Sequence, residues 1–333
     1  MRACRREPVE RTPVWLMRQA GRYLPEYRAI RDRVGFLELC KTPRLSAEVM
    51  IATVHRLGVD AAIIFSDLLP ILEPMGLDLE FTTGEGPVIH NPVREAADVA
   101  RILELEDVDR VGFVMDTVAA TRAGLDDSIP VIGFAGAPFT LAGYCIEGGT
   151  SKAWTLTKSF MYRHESAWHD LLARIARSVS RYLVAQLEAG AQVVQLFDSW
   201  VGCLGPDDYR RYVLPHVRTA IAAASRRAPV IHFATGNPEL LPLLAEAGGS
   251  VIGIDWRIDL DRGWDLAGHD RAVQGNLDPV VLLADRETVR RRTREVLARA
   301  GGRPGHIFNL GHGILPGTPV VNVLELVAAV KEG

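Results

Sequence analysis

Short apolar runs rich in β-branched residues recur along the chain, each followed by a polar or glycine-rich turn and then a stretch with helical spacing. Eight such runs occupy 13–17, 61–66, 129–134, 192–197, 229–234, 250–255, 272–277 and 306–311. Continuous apolar runs of this length suit strands buried on both faces, as in a parallel sheet. Between them, Leu171, Leu172, Ile175, Val179, Leu183 and Leu187 predict a helix over 166–189, and 286–300 predicts another whose arginine-rich face meets solvent. Strand–helix alternation gives an α/β fold. Eight repeats suggest a single (β/α)8 TIM-type barrel spanning 1–333, with its active site at the C-terminal mouth of the strands. An open dinucleotide-binding sheet would want G-x-G-x-x-G after an early strand. Gly133, Gly136 and Gly143 are wrongly spaced for it.

Distinctive polar residues follow the runs: Arg18, Asp67, Asp198 with Ser199, Thr235 with Asn237, Asp255 and His312. In a barrel all of them converge on one mouth.

Composition changes the picture little. The 333 residues are 48% hydrophobic and 24% charged, which excludes a disordered or fibrous chain. The net charge of −3 argues against general nucleic-acid binding. Its distribution is uneven. Residues 1–44 hold eleven basic and five acidic residues, while the remainder is acidic. No apolar run approaches 18 residues, so no membrane span is expected. The first residues lack the apolar core of a signal peptide, and four scattered cysteines form no C-x-x-C. A cytoplasmic protein is expected.

Five segments carry candidate chemistry. In Arg18 to Arg28, with Arg31 beyond, Gly21 and Pro25 break any long helix and imply a returning loop. Guanidiniums on one loop suit a polyanion through bidentate carboxylate contacts. The alternative is that they are solvated or paired with Glu26 and Asp32. Asp67 is either an anion facing a ligand or a helix cap after a strand. In Gly133–Tyr144, small residues permit close approach to a flat ligand, with Phe134 and Tyr144 supplying rings, or else they form a tightly packed turn. The fourth segment is Gln195 to Trp200. In the fifth, His312 lies between glycines, as a ligand contact, a proton shuttle or a simple loop histidine. Ser199 lacks the G-x-S-x-G setting of a nucleophile. The histidines form no H-E-x-x-H, and Ala234 stands where an H-x-C zinc pair would need a thiolate.

Together these segments resemble the uroporphyrinogen decarboxylase family. The resemblance rests on Pro13 to Arg28, Gly133 to Gly149, Ile64-Phe65-Ser66-Asp67, Gln195 to Ser199, Gln274 to Pro279 and Asn309 to Gly313. It implies one (β/α)8 domain, usually a homodimer, with neither cofactor nor metal. It also implies conversion of the four acetates of uroporphyrinogen III to methyl groups, giving coproporphyrinogen III. By matching position it implies catalytic roles for Asp67, Arg18, Arg22 and Tyr144. Gln19, Arg31, Phe134, Phe197, Ser199 and His312 match substrate contacts. Two departures stand out: a short segment before the first signature, and Trp200 where a small or polar residue is expected. A related corrinoid- or thiol-dependent barrel methyltransferase is the alternative.

Overall fold

The computed structural model describes residues 1–82 and 86–333. Its strands are β1 (Ala62–Ile63), β2 (Leu79–Thr82), β3 (Gly86–Ile89), β4 (Val131–Gly136), β5 (Val193–Asp198), β6 (Val230–Ala234), β7 (Val251–Gly253), β8 (Ala272–Leu277) and β9 (His306–Leu310). Seven of them pair in parallel in the order β1-β4-β5-β6-β7-β8-β9. Helices connect them, and the architecture is α/β. Every residue of β4, β6, β8 and β9 is buried, which is why these strands read as largely apolar runs, with a few buried polar residues such as Gln274 and Asn309 among them.

The run at 13–17 forms no full strand. Val14 makes a single parallel bridge to Phe308 of β9. On its other side the Val14 carbonyl accepts the Asp60 N–H at 2.7 Å, just before β1. The Asp60 carboxylate then accepts the Val14 N–H at 2.8 Å and grips the Arg11 guanidinium at 2.6 and 2.7 Å. One basic residue of the N-terminal segment is thus spent tying that segment between the two edge strands.

Beneath the strands, a short 3-10 turn (Ala3–Arg5) buries Ala3 and Cys4, which line one small void together with Trp15, Ile132, Val193, Ile231 and Ile307. Inside, a buried polar chain crosses between strands. Trp15 Nε1 donates to Gln274 Oε1 (3.0 Å), and Gln274 Nε2 donates to Gln195 Oε1 (3.1 Å).

The helix expected over 166–189 spans Glu165–Glu188, and the arginine-rich one spans Arg286–Ala300. The first buries Trp168, Leu171, Leu172, Ile175, Val179 and Leu183. It also sends Gln186 inward, where its amide accepts the Phe134 N–H (2.8 Å) and donates to the Phe134 carbonyl (2.9 Å). The last bond from the β1 side reaches Ile132, so Gln186 supplies both bonds that a longer β1 would have made. Gly133 makes room, since a Cβ there would lie 2.5 Å from Gln186 Oε1.

The β2–β3 hairpin is an addition that the run pattern does not anticipate. Among the described residues, no helix is long and apolar enough to cross a membrane.

Candidate active site

The residues that follow the strands gather at one end of the sheet. Arg18 leaves the first segment with φ +60°, one of three non-glycine residues in the left-handed region among the described residues. Such a conformation costs on the order of 1 kcal/mol or more and persists only where the surroundings impose it. Its side chain lies across Gly313, where a Cβ would sit 2.4 Å from Arg18 Cδ. Arg18 and Arg22 are exposed, and neither forms an ion pair among the described residues. Glu26 leans toward Arg56 (3.9 Å) instead, so the arginines are not neutralised by their own loop. A glycine-broken loop is present, ending in a short helix (Pro25–Arg31). Arg31 is turned aside: its guanidinium bonds the Val34 carbonyl and lies 5.8 Å from the Phe36 ring centre.

Gln19 is fully buried. Its Oε1 accepts the Leu16 N–H (3.1 Å), its Nε2 donates to the Ala61 carbonyl (3.0 Å), and its own carbonyl accepts the Tyr23 hydroxyl (2.7 Å). Its side chain is consumed in holding the arginine loop to β1 rather than lining the mouth.

Asp67 follows β1 and is half-buried. Its Oδ1 accepts the Leu69 N–H at 3.0 Å, a local turn that fixes the carboxylate. Burial raises its pKa above the ordinary carboxylate value, opposed by this bond and by the Arg18 charge. Tyr144, on the helix Pro138–Glu147, is 8% exposed, and its hydroxyl accepts the Trp200 indole N–H at 3.2 Å. Burial pushes its pKa up, with smaller influences from Trp200, Asp67 and Arg18. The Trp154 ring packs 5.6 Å from Tyr144 and 5.2 Å from Trp200, over the space left by Gly143. Trp200 thus anchors Tyr144 within an aromatic cluster.

An arc of rings runs from strand to strand. Phe134 (β4) meets Phe197 (β5) at 5.6 Å, and Phe197 meets Phe233 (β6) at 5.9 Å. His312, beyond β9, lies 6.3 Å from both Phe233 and Trp256. Its pKa is lowered to about 4 by burial first and then by the Arg18 charge, with Asp255 and Arg257 acting in opposite senses. Its Nδ1 accepts the Gly313 N–H at 2.8 Å, so at neutral pH the ring is neutral and its Nε2 carries the proton. Ser199 is half-buried and its carbonyl accepts the Thr235 hydroxyl (2.8 Å). Among the described residues Ser199 and His312 are not hydrogen-bonded, which leaves no nucleophile–base pair.

The electrostatic coupling places Arg18, Asp67, Tyr144 and His312 in one neighbourhood, with the Phe134–Phe197 arc beside them. Sequence reasoning missed Trp154, Trp256 and Arg257. Trp256 and Arg257 directly follow run 250–255, which was the available signal for them; Trp154 lies beyond the helix Pro138–Glu147, away from any run. Asp198 points away from the mouth. It is wholly buried, Oδ1 accepts the Thr140 hydroxyl at 2.8 Å, Oδ2 has no partner among the described residues, and burial raises its pKa to about 7.

His232 is buried in the core with Nδ1 3.3 Å from the Leu244 carbonyl. Among the described residues no group of three or more His, Cys, Asp or Glu side chains is placed to hold a metal ion.

A model of the family described as uroporphyrinogen decarboxylase (URO-D) matches residues 1–333. A protein of Chloroflexus aggregans named uroporphyrinogen decarboxylase is 54% identical over 99% of this chain and 94% of its own length. Its namesake from Carboxydothermus hydrogenoformans is 53% identical over 100% of this chain and 95% of its own. Among solved structures, a methyltransferase from Methanosarcina mazei superposes with a TM-score of 0.83 at 20% identity, covering 99% of this chain and 96% of that one. That likeness is one of fold, and it shows that the architecture alone cannot separate decarboxylase from methyltransferase.

Proposed function

The chain belongs to the uroporphyrinogen decarboxylase family, and from that premise we propose that it removes the four acetate carboxyl groups of uroporphyrinogen III, without a cofactor, to give coproporphyrinogen III. The observation that carries the reading is the unneutralised guanidinium of Arg18 beside a fixed carboxylate, Asp67, with the exposed Arg22 on the same loop. The substrate is an octa-anion with inward-pointing pyrrole N–H donors, and this site offers the complement of both.

Decarboxylation of a pyrrole acetate needs an electron sink. A proton added to the ring carbon beside the one that bears the acetate creates a cationic ring. The bond to the carboxylate then breaks, CO2 leaves, and its electron pair neutralises the ring as an exocyclic methylene. A proton on that methylene and loss of the ring proton restore the pyrrole with a methyl group. The net uptake is one proton per CO2.

Asp67 accepts hydrogen bonds from the pyrrole N–H groups and stabilises the cation. At about 4 Å and an effective dielectric near 20 the attraction is on the order of 4 kcal/mol, roughly a thousandfold in rate. Its raised pKa is held in check by Arg18, which favours the ionised form the step requires. Arg18 and Arg22 bind carboxylates, with Arg31 behind them. Tyr144, Ser199 and neutral His312 orient further carboxylates by hydrogen bonding, and Phe134 and Phe197 face the macrocycle. Gln19 supports the loop from beneath.

In the same reading residues 1–333 form one (β/α)8 barrel, whose first stave is 13–17, closed between β9 and β1. The Val14 bridge and the Asp60 contacts support this. The family resemblance supports a cytoplasmic homodimer.

Anaerobic incubation with uroporphyrinogen III, then chromatography of oxidised products by carboxylate number, tests the function. Stepwise appearance of seven-, six-, five- and four-carboxylate porphyrins is expected. Unchanged substrate would overturn it.

A further inference from the structure

We propose that Arg257 is a second carboxylate-binding position, on the wall of the mouth across His312 from the Arg18 loop, and that it takes a peripheral carboxylate of the tetrapyrrole. This rests on the reading above. Arg257 lies just beyond β7 in Asp255-Trp256-Arg257. The Asp255 carboxylate is 5% exposed and accepts the backbone N–H groups of Gly236 (2.7 Å) and Arg257 (2.9 Å). The Arg257 Nη1 donates to the same carboxylate at 2.5 Å. The guanidinium also lies over the Trp256 ring, 4.1 Å from its centre. One edge and one face are therefore fixed while 43% of the side chain is exposed. The remaining donors, Nε and Nη2, have no partner among the described residues. An arginine immobilised this way has already lost the rotamer freedom that binding would cost.

Placement makes it part of the mouth. The Gly311-His312-Gly313 segment carries Trp256 on one side and Arg18 on the other. A Cβ on Gly311 would lie 2.4 Å from the Trp256 nitrogen, and one on Gly313 would meet Arg18 at the same distance. Arg18 and Arg257 thus flank His312 from opposite sides. An octa-anionic disc seated there would be held from two directions, whereas the Arg18 loop alone would hold one rim. Asp255 already has two backbone donors, so its own satisfaction does not require the guanidinium.

The test compares wild type with R257Q and R257K in anaerobic steady-state kinetics on uroporphyrinogen III, together with melting temperatures. For R257Q, KM should rise about tenfold, equivalent to about 1.4 kcal/mol, with kcat within twofold. R257K should fall between, because it keeps the charge and loses the fork. Binding of uroporphyrin, followed by fluorescence quenching, should weaken in parallel and show a shallower salt dependence. An unchanged KM and unchanged uroporphyrin affinity in R257Q, with or without a lowered melting temperature, would assign Arg257 to Asp255 alone and overturn the proposal. A wild-type enzyme that turns over normally beside such a result leaves the decarboxylase reading intact; wild type without turnover refutes that reading itself.

Discussion

Replacing Asp198 by Asn should make stability less sensitive to pH while leaving catalysis in place. The carboxyl is wholly buried, one oxygen accepts the Thr140 hydroxyl, and the other has no partner among the described residues. Its pKa rises from 3.8 to about 7, chiefly through burial. Because the folded value lies above the unfolded one, both states hold the proton below about pH 4 and the group costs nothing there. Between about pH 4 and 7 the unfolded chain has released its proton and the folded chain has not, so stability falls as pH rises, and above 7 the loss is constant. At 1.36 kcal/mol per unit, the span from pH 5 to 7 amounts to about 3 kcal/mol. For a chain of this size that is roughly 5 °C in melting temperature. Asn cannot titrate and can still accept from Thr140. The melting temperature of D198N minus that of wild type should therefore grow by about 5 °C between pH 5 and pH 8, with turnover within a few-fold because the side chain does not reach the mouth. Melts followed by circular dichroism across that range measure it. A difference constant with pH would mean that Asp198 titrates as an exposed carboxylate, and the burial argument would fall.

Asp67→Asn should lose on the order of a thousandfold in kcat while keeping its melting temperature within a few degrees; turnover near wild type would remove Asp67 from the chemistry. Trp200→Phe keeps the ring but deletes the N–H held by the Tyr144 hydroxyl, so kcat should fall about three- to tenfold, with partial recovery in Trp200→His, whose ring N–H can donate; equal loss in both would point to packing alone. With a pKa lowered to about 4, His312 should show no imidazole titration between pH 5.5 and 8 by NMR, and His312→Asn should leave the shape of the pH–rate profile unchanged in that range. A titration near 6.5 would contradict the assigned burial and the influence of the flanking arginines.

The sequence pattern found seven strands because their residues face helices outside and side chains inside, which forces largely apolar runs. It misjudged lengths where pairing, not apolarity, ends the strand: 61–66 shrinks to two residues and 250–255 to three. At 13–17 the apolar run survives as a bridge secured by Arg11 and Asp60, a pairing invisible to periodicity. The β2–β3 hairpin did leave a trace, in the alternation Leu77, Leu79, Phe81 against Asp78, Glu80. For the site, residue type made Arg18, Arg22, Asp67 and His312 candidates beside plain structural alternatives, and the family resemblance rather than residue type singled them out; the structure sets Arg18 close to Asp67 and His312. Gln19 shows the limit, because an amide that binds substrate and one that braces a loop read identically until both its ends are seen occupied. Arg257 went unnoticed for a similar reason, since its orientation comes from Trp256 and Asp255 packing after the fold is formed.

Gln186 makes the outer layer a gauge for the inner one. The backbone of Phe134 takes its position from an amide on the helix Glu165–Glu188 instead of from a neighbouring strand. A slide of that helix by a fraction of a turn would therefore transmit to the ring arc at the mouth, although none of its outward residues touches the substrate. Sequence change on the exterior of this helix has a lever on the width of the cavity, whereas change outside β5, which pairs over five residues with both β4 and β6, has none of comparable directness.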